Sequence, residues 1–431
     1  MEKYFKFKEN GTNLKLEIIG GITTFLATMY IIVVNPAIIS ETGMPFSGVL
    51  TATILVSAFS SIMMGIYAKN PIVLAPGMGL NAFFTYSVVL GMGVKWEVAL
   101  GAVFWSGIVF LLLSIFNIRT LIVKAIPKQI RYAVSAGIGL FITLIGFSNA
   151  EFIISNPQTL VNFGGLNAIT ITFAVGLFIT SILVVKRTKG ALIIGIILTT
   201  LIAIPIGRMY GAEKLVEWQG LIDFPDFSVF FQMNLVDSLS LGMVSVMFAF
   251  LFTDMFDSLS TFVGVAEAAD LVDEEGEPRN IKESLIVDSF ATTFSGLFGT
   301  SSGTSYIESA AGIEEGGRTG LTAVIAGLLF LPFMFFSPLL SVIPQIATAP
   351  ALVLVGVFMM KPVTKIHWLQ FDDAIPAFLA MILIPMTYSI TQGIIWGFLG
   401  WTIIKIATGK TEEITPTLIV IDILAIISLI V

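Results

Sequence analysis

The sequence predicts an all-α, polytopic membrane protein with about 14 transmembrane spans. Of its 431 residues, 56% are hydrophobic and only 12% are charged, and the mean hydropathy is +0.96. Soluble chains carry about 25% charged residues, so this chain lacks the polar side chains needed to cover a water-exposed surface. Because one membrane-spanning helix needs about 20 apolar residues, the length leaves no room for a sizeable soluble domain.

The apolar stretches that predict these spans are separated by short polar connections. Several stretches are too short or too rich in glycine to be ordinary helices. A further apolar tail at 416–431 contains Asp422 and measures about 16 residues, which predicts a short amphipathic or surface helix rather than a crossing. The predicted spans lie at 15–40, 47–67, 72–91, 97–116, 129–148, 167–186, 190–206, 236–262, 282–298, 301–314, 320–340, 346–361, 372–389 and 391–407.

The basic residues predict the orientation of the chain. With the N-terminus in the cytoplasm, all but three of the 22 lysines and arginines fall in cytoplasmic connections; the exceptions are Lys95, Arg208 and Lys214. Lys and Arg concentrate on the cytoplasmic side of membrane proteins, so this asymmetry supports both the orientation and the parity of the span count. It makes the acidic segment 270–283 a cytoplasmic linker. We expect a multi-pass protein of the cell (plasma) membrane in contact with lipid.

The two halves of the chain are related at an offset of roughly 215 residues. The motif at 126–130 (IPKQI) corresponds to 343–346 (IPQI), and 75–82 (APGMGLNA) corresponds to 303–310 (GTSYIESA). Seven spans per half would make the second copy inverted relative to the first. Inverted repeats with interrupted helices at corresponding positions indicate a secondary transporter whose site lies at the bilayer midplane.

Four acidic residues fall inside apolar spans: Asp254, Asp257, Asp288 and Glu308. An ionised group at bilayer depth costs about 2.5 to 3.5 kcal/mol, so these side chains should face the interior of the bundle. Asp254 and Asp257 are three residues apart on one helix and should not both be ionised near neutral pH, which suits a proton carrier. Asp257 fits a capping or bracing role equally well. Asp288, close to the start of its span, is expected near the water interface with a structural role.

The segments 71–84 and 299–317 are predicted to be broken spans. Pro76, Gly77 and Gly79 interrupt the first segment, and Gly303 and Gly312 belong to the glycines that interrupt the second. Loose backbone at this depth is tolerated only where it lines a cavity.

Each half-helix that restarts, near Asn81 and near Glu308, would offer free N–H groups and the positive end of its dipole. Together with the acceptors on Glu308 and Asp254, these donors favour a flat, neutral ligand over a bare ion. Phe83, Phe252 and Tyr306 lie close in sequence and could stack on a planar ring. With 36 phenylalanines in the chain, packing is an equally good explanation for each phenylalanine.

Other motifs do not support a soluble or enzymatic function. The stretch 77–82 (GMGLNA) fits a dinucleotide fingerprint but has no βαβ unit around it, and 409–411 (GKT) lacks the upstream glycine of a phosphate-binding loop. His367 is the only histidine and the chain has no cysteine, so we expect no metal site, no catalytic triad and no cofactor. No basic tract indicates nucleic acid.

Several stretches together resemble the azaguanine-type purine permeases. These are the hypoxanthine, guanine and adenine transporters of the nucleobase-cation symporter and nucleobase-ascorbate transporter group. The likeness extends over about 20–409 and is most specific in the third and tenth spans. The residues that carry it are Asn35-Pro36, 75–84 (APGMGLNAFF), 254–257 (DMFD), 306–313 (YIESAAGI) and 316–320 (GGRTG).

The resemblance implies a seven-plus-seven inverted repeat with short strands in spans 3 and 10. It also implies that a purine is taken up together with protons while a core domain moves against a gate domain. It implies that Asn81, Asp254 and Glu308 contact the purine and that Asp257 takes part in transport. The implied divisions are a cytoplasmic N-terminus 1–14, core 15–116, gate 117–210, an extracytoplasmic loop 211–235, core 236–340, gate 341–408 and a C-terminal segment 409–431.

Three alternatives stay open at this stage. An anion exchanger or channel of the same fold should offer arginine or lysine at the midplane, where this chain has acids. A membrane-embedded enzyme would need a nucleophile–base pair or a metal cluster. Sodium could replace the proton, because carboxylates and unwound carbonyls bind either cation. Family members commonly carry glycine where this chain has Ser260, so the preferred purine is undecided, and the sequence leaves open whether the protein forms a homodimer.

Overall fold

Long apolar helices make up most of the molecule, as predicted. The computed structural model describes residues 2–116, 126–209, 220–269, 271 and 278–430. Parts of three predicted segments, the gate that starts at 117, the loop 211–235 and the acidic linker 270–283, lie outside the described residues. Within these ranges, eight helices are long and apolar enough to cross a membrane. The number of crossings, fourteen, stays a prediction.

The elements follow one another along the chain with short connections. α5 continues as a π-helix to Gly91, and a 3-10 turn, Ile307–Ser309, precedes α12. The bounds are α1 (Glu2–Phe5), α2 (Leu14–Thr28), α3 (Ile31–Ile39), α4 (Phe46–Met63), β1 (Leu74–Pro76), α5 (Met78–Ala82), α6 (Trp96–Ile115), α7 (Lys128–Asn149), β2 (Ile153–Asn156), β3 (Leu160–Phe163), α8 (Ala168–Val185), α9 (Ala191–Met209), α10 (Leu241–Ala269), α11 (Ile281–Phe298), β4 (Gly303–Ser305), α12 (Ala310–Glu314), α13 (Gly320–Phe330), α14 (Ser337–Leu340), α15 (Gln345–Met359), α16 (Phe371–Thr387), α17 (Ile390–Ala407) and α18 (Pro416–Ile430).

Helix starts follow local sequence signals. The Asn13 side chain accepts a hydrogen bond from the Leu16 N–H at the start of α2, and Asn167 forms a capping box with Thr170 at the start of α8. These caps satisfy backbone donors that have no partner within the helix. α18 has 15 residues, as expected for a short terminal helix, and its Asp422 accepts a hydrogen bond of 2.6 Å from the Thr402 hydroxyl.

The helices pack in two groups. In the first group, α13 packs on α2 and α4, and α11 packs on α6. In the second group, α7 packs on α15 and α16, α16 packs on α17, and α8 packs on α9. α10 belongs to the first group through α6 and β4, and it also touches α7 and α17 of the second group. The core and gate segments that the resemblance implies stay a prediction.

The two interrupted segments meet as a pair of antiparallel strands. Leu74 pairs with Ser305, and Pro76 pairs with Gly303. The ladder is extended on both sides, because the Gly77 N–H donates to the Ser302 carbonyl and the Tyr306 N–H donates to the Val73 carbonyl, each at 2.9 Å. All six strand residues are buried.

Helices of the first group approach each other closely where both carry glycine. A Cβ added to Gly320 at the start of α13 would overlap the backbone of Gly65. The fully buried carboxylate of Glu17 on α2 accepts hydrogen bonds from the backbone N–H groups of Arg318, Thr319 and Thr322 at 2.9 to 3.1 Å. An anion at a helix N-terminus is stabilising, so Glu17 ties the first span to the start of α13.

We predict that Gly320→Ala destabilises the fold because the methyl group would meet backbone atoms, which cannot move aside as a flexible side chain can. Overpacking of this kind costs about 1 to 3 kcal/mol. The thermal unfolding midpoint in detergent should fall by several degrees. Gly242→Ala on α10 is the matched control, because nothing lies within 4 Å of its added Cβ. Equal midpoints for the two variants would contradict the packing described for α13.

Candidate substrate site

A cavity of about 960 Å³ lies between the two groups of helices. Its walls come from α10, from β4 and the 3-10 turn that follows it, from the first two turns of α7 and from the end of α15. The exposed side chains of Lys128, Lys361 and Lys365 also border it, so the cavity opens to solvent at the end of the bundle where α7 begins. Its inner end reaches the paired strands through Thr304 and Ser305.

Two of the four predicted acids border this cavity, Glu308 and Asp257. Glu308 lies in the turn after β4, and the Tyr30 hydroxyl donates to its Oε1 atom at 2.8 Å. Asp257 lies on α10. Among the described residues, no basic side chain forms an ion pair with either carboxylate. Their oxygen atoms can therefore accept hydrogen bonds from a ligand's N–H groups.

Asp254 is fully buried and does not border the cavity. Its carboxylate is hydrogen-bonded to the hydroxyl of Thr292 on α11, and the same hydroxyl donates to the carbonyl of Gly303 at 2.9 Å. Asp288 is also fully buried. This burial is burial within the bundle, and the position of Asp288 relative to the water interface stays a prediction.

Asn81 also lies away from the cavity. Its Nδ2 atom donates to the Oδ1 atom of Asn35 at 3.1 Å. Asn35 in turn donates to the hydroxyls of Thr53 and Thr300 at 2.7 and 2.8 Å. The amide of Asn81 thus belongs to a buried polar cluster between α3, α4 and α5, and in this structure it does not reach the space that a ligand would occupy.

Of the three residues predicted to stack on a ligand, one borders the cavity and two do not. Tyr306 borders the cavity, its ring centre lies 6.4 Å from that of Tyr30, and its hydroxyl donates to the Pro76 carbonyl. Phe83 packs edge-on against Phe250 at 4.9 Å, and Phe252 packs against other phenylalanines; neither borders the cavity. Only Tyr306 of the three can contact a ligand there.

The predicted helix-breaking residues gather at the strand pair with one exception. Pro76 and Gly303 pair within the strands, and Gly77 and Gly79 border the cavity. Gly312 instead packs against α2, where a Cβ added to Gly20 would come within 2.9 Å of the Gly312 carbonyl.

Several cavity residues were not predicted. Tyr30, Met78, Thr304 and Ser305 border the cavity, and basic residues form its mouth. Ser260, where the sequence departs from the family it resembles, also borders the cavity. Tyr30 carried a usable signal, since a phenolic hydroxyl in an apolar span needs a hydrogen-bonding partner. The basic residues had been counted only as markers of orientation.

The two groups of helices are joined at the opposite end of the bundle. Glu41, just after α3, accepts hydrogen bonds from the Tyr86 hydroxyl at 2.6 Å and from the side-chain amide of Gln345, the first residue of α15. The Ser87 hydroxyl donates to the carbonyl of Tyr388, which follows α16. The bonds to Gln345 and Tyr388 reach the second group of helices, so the bundle is closed at this end and open at the other.

Comparison with known proteins assigns the family. The model of the Permease family (Xan_ur_permease) matches residues 15–395. The chain belongs to this family. The permease is 41% identical over 433 residues to adenine permease AdeP of Escherichia coli (strain K12), covering 100% of this chain and 96% of AdeP. It is 41% identical to guanine/hypoxanthine permease PbuO of Bacillus subtilis (strain 168), covering 99% of each chain. Family and relatives are permeases rather than enzymes.

Solved structures of other transporters share the fold. The transmembrane domain of the cyanobacterial bicarbonate transporter BicA superposes with a TM-score of 0.67 at 17% identity, covering 89% of the permease and 97% of that domain. The murine anion transporter Slc26a9, solved in its inward-facing state, gives 0.64 at 12% identity, covering 93% of the permease and 69% of that chain. At these identities the likeness shows the fold alone.

We predict that α10 presents Ser260 to the cavity and hides Ser258. The permease has no native cysteine, so single Ser→Cys variants report their own reactivity. Ser260 is exposed and borders the cavity. Ser258 is fully buried, and its hydroxyl is hydrogen-bonded to the Thr304 hydroxyl at 2.8 Å. A charged maleimide should modify Ser260→Cys at least about tenfold faster than Ser258→Cys in detergent, because only a solvated thiolate reacts. Similar rates would contradict the rotation of α10.

Proposed function

We propose that the permease takes up purine nucleobases, binding one at a time at the inner end of its cavity. The observation that carries the proposal is a pair of carboxylates, Glu308 and Asp257, that border the cavity without an ion-pair partner among the described residues. The names of the relatives, adenine permease and guanine/hypoxanthine permease, supply the substrate class.

A carboxylate is well matched to a nucleobase. It can accept two parallel hydrogen bonds from a ring N–H and an exocyclic amine of the same molecule. In the proposed complex, Glu308 accepts such a pair while Tyr30 holds its Oε1 atom in place, and Tyr306 lies where a planar ring can pack. Asp257 supplies a second acceptor. The resemblance assigns Asn81 and Asp254 to the purine as well. In the proposed complex they do not touch the base, and they support the backbone around the strand pair instead.

An anion exchanger or channel of the same fold is the main alternative. The solved relatives with this fold include a bicarbonate transporter, so the fold alone does not decide. The inner end of the cavity favours a nucleobase, because its charged groups, Asp257 and Glu308, repel anions. The basic side chains that border the cavity lie at its mouth.

Transport is proposed to follow an elevator-like movement of the core against the gate. The cavity lies between the two groups of helices, is open at one end, and is closed at the other by bonds from Glu41 and Ser87. Breaking those bonds while the mouth closes would carry the inner end of the cavity to the opposite side. The lysines at the mouth support a cytoplasmic position for that end and for the N-terminus, in the cell membrane.

We propose that protons drive this uptake through Asp257, Asp254 and Glu308. Protonation would remove the cost of carrying ionised groups through a hydrophobic interior. Sodium coupling is the alternative, since the same oxygen atoms can coordinate a cation.

For the binding site, we predict that Glu308→Gln weakens binding of the preferred base by about 30-fold or more, because a charge-assisted hydrogen bond is lost. Calorimetry with guanine, hypoxanthine and adenine on the purified protein measures this. Glu314→Gln, six residues further along the same half-helix and exposed away from the cavity, should bind like wild type. Unchanged affinity in a folded Glu308→Gln protein would refute the assigned contact.

For coupling, we predict that base accumulates in proteoliposomes under an imposed pH gradient and not under a sodium gradient at equal pH. Asp254→Asn should still exchange labelled for unlabelled base, since Asp254 does not border the cavity, but should lose gradient-driven accumulation. Accumulation that follows sodium and ignores pH would overturn proton symport. Full accumulation by Asp254→Asn would remove that residue from the coupling mechanism.

A further inference from the structure

Among the described residues, four basic side chains border the mouth of the cavity and form what we call the basic mouth: Lys128, Arg131, Lys361 and Lys365. Lys128 and Arg131 lie in the first turn of α7, and the two lysines lie in the 3-10 turn after α15. Among the described residues, none of the four forms an ion pair with a carboxylate. The buried Nε atom of Arg131 has no hydrogen-bond partner there either.

Topology alone does not account for this arrangement. A basic residue that only fixes the orientation of a span can point into solvent from any connection. Arg131 instead lies half-buried on the wall of a cavity, and a buried N–H group without an acceptor is destabilising. Its guanidinium matches the geometry of phosphate oxygens, which it can bind in a bidentate manner.

The charges of the cavity are arranged in two layers. Glu308 and Asp257 lie inside and the basic mouth lies outside, so the part of the lining that the structure describes carries four basic and two acidic residues. A neutral base would use only the inner layer. Lys361 and Glu308 line the same cavity, so one ligand can reach both layers.

The cavity is also longer than a base requires. Along α10 its lining runs from Asp257 to Ala266, which is about 14 Å at 1.5 Å per residue. A purine ring placed against Glu308 would leave the space toward the mouth free. A sugar and a phosphate attached to the ring would extend through that space to the basic side chains.

We propose that the cavity also binds purine nucleoside monophosphates from its open end, with the base against Glu308 and Asp257 and the phosphate on the basic mouth. The inner half of this site rests on the proposed function. A phosphate monoester carries a charge of about −1.5 to −2 at neutral pH, which the four basic groups can neutralise. Such a ligand would compete with the free base on this side of the membrane. A free phosphate ion or a lipid headgroup could place the same phosphate group on the basic mouth, so the test must distinguish these from a nucleotide.

The test is competition against labelled guanine, and labelled adenine, on purified permease in nanodiscs of phosphatidylcholine. The competitors are the matching nucleoside, the matching 5′-monophosphate and inorganic phosphate. We expect the monophosphate to displace the base at least about tenfold more effectively than the nucleoside, because only it reaches the basic mouth. Added salt should weaken the monophosphate and leave the base unaffected.

Variants separate the mouth from the base site. Arg131→Gln and, independently, the exposed Lys365→Gln should each weaken the monophosphate about tenfold while base affinity stays within about twofold. Lys186→Gln is the control, since Lys186 follows α8 at the same end of the bundle and does not border the cavity. Folding of each variant is checked by its unfolding midpoint.

Two results would overturn the proposal while leaving the base site intact. One is a monophosphate that competes no better than its nucleoside. The other is native mass spectrometry in which Arg131→Gln loses bound phosphatidylglycerol while nucleotide competition is unchanged, which would assign the mouth to a lipid headgroup. Failure of the wild-type protein to bind any free base would instead refute the proposed function, and calorimetry with the monophosphate alone would still test the mouth.

Discussion

The pairing of β1 with β4 is the interaction on which the rest of the site depends. Two spans that break inside a hydrophobic interior leave backbone N–H and C=O groups that only other protein groups can satisfy. Here each broken span supplies the partner of the other. Neighbouring hydroxyls complete the set: Ser61 exchanges hydrogen bonds with the backbone of Leu74 at 3.0 and 3.1 Å, and Ser309 accepts from the Val73 N–H at 3.0 Å. The position of Glu308, three residues after β4, follows from this pairing.

Sequence reasoning located the interruptions and the acids but not which side chains face the cavity. Glycine and proline inside apolar stretches marked both strand segments, and an acid inside an apolar span marked Glu308 and Asp257. Asp254 and Asp257 lie only about 60° apart around α10, so the rotation of the helix decides which one reaches the cavity. That rotation depends on packing against α6 and β4, which a single sequence does not contain. The resemblance assigns Asn81 to the site, whereas its hydrogen-bonding partner in this structure, Asn35, lies in another span.

The basic residues show a second limit of single-sequence reasoning. The sequence analysis uses four basic residues only to orient the chain, with their connections in the cytoplasm. These residues are Lys128, Arg131, Lys361 and Lys365, and their placement at one end of the bundle is compatible with that orientation. It cannot reveal that the start of α7 and the end of α15 are neighbours in space, because 230 or so residues separate them in the chain. Once the two ends meet, residues that each satisfy a topological rule form one cluster at the entrance to a cavity.

Thr292 contacts both Asp254 and β4, and this links the protonation state of Asp254 to the hydrogen bonding of the strand pair. A threonine hydroxyl has one proton to donate. If Asp254 is ionised, its carboxylate competes with the Gly303 carbonyl for that proton, and one of the two acceptors loses its bond. If Asp254 is protonated, it donates to Thr292, and Thr292 donates to Gly303 without conflict. The charge on Asp254 thereby changes the hydrogen bonding of the residue that pairs with Pro76, although Asp254 never touches the cavity. Under the proposed proton symport, this is a short physical route from the coupling ion to the backbone that positions Glu308.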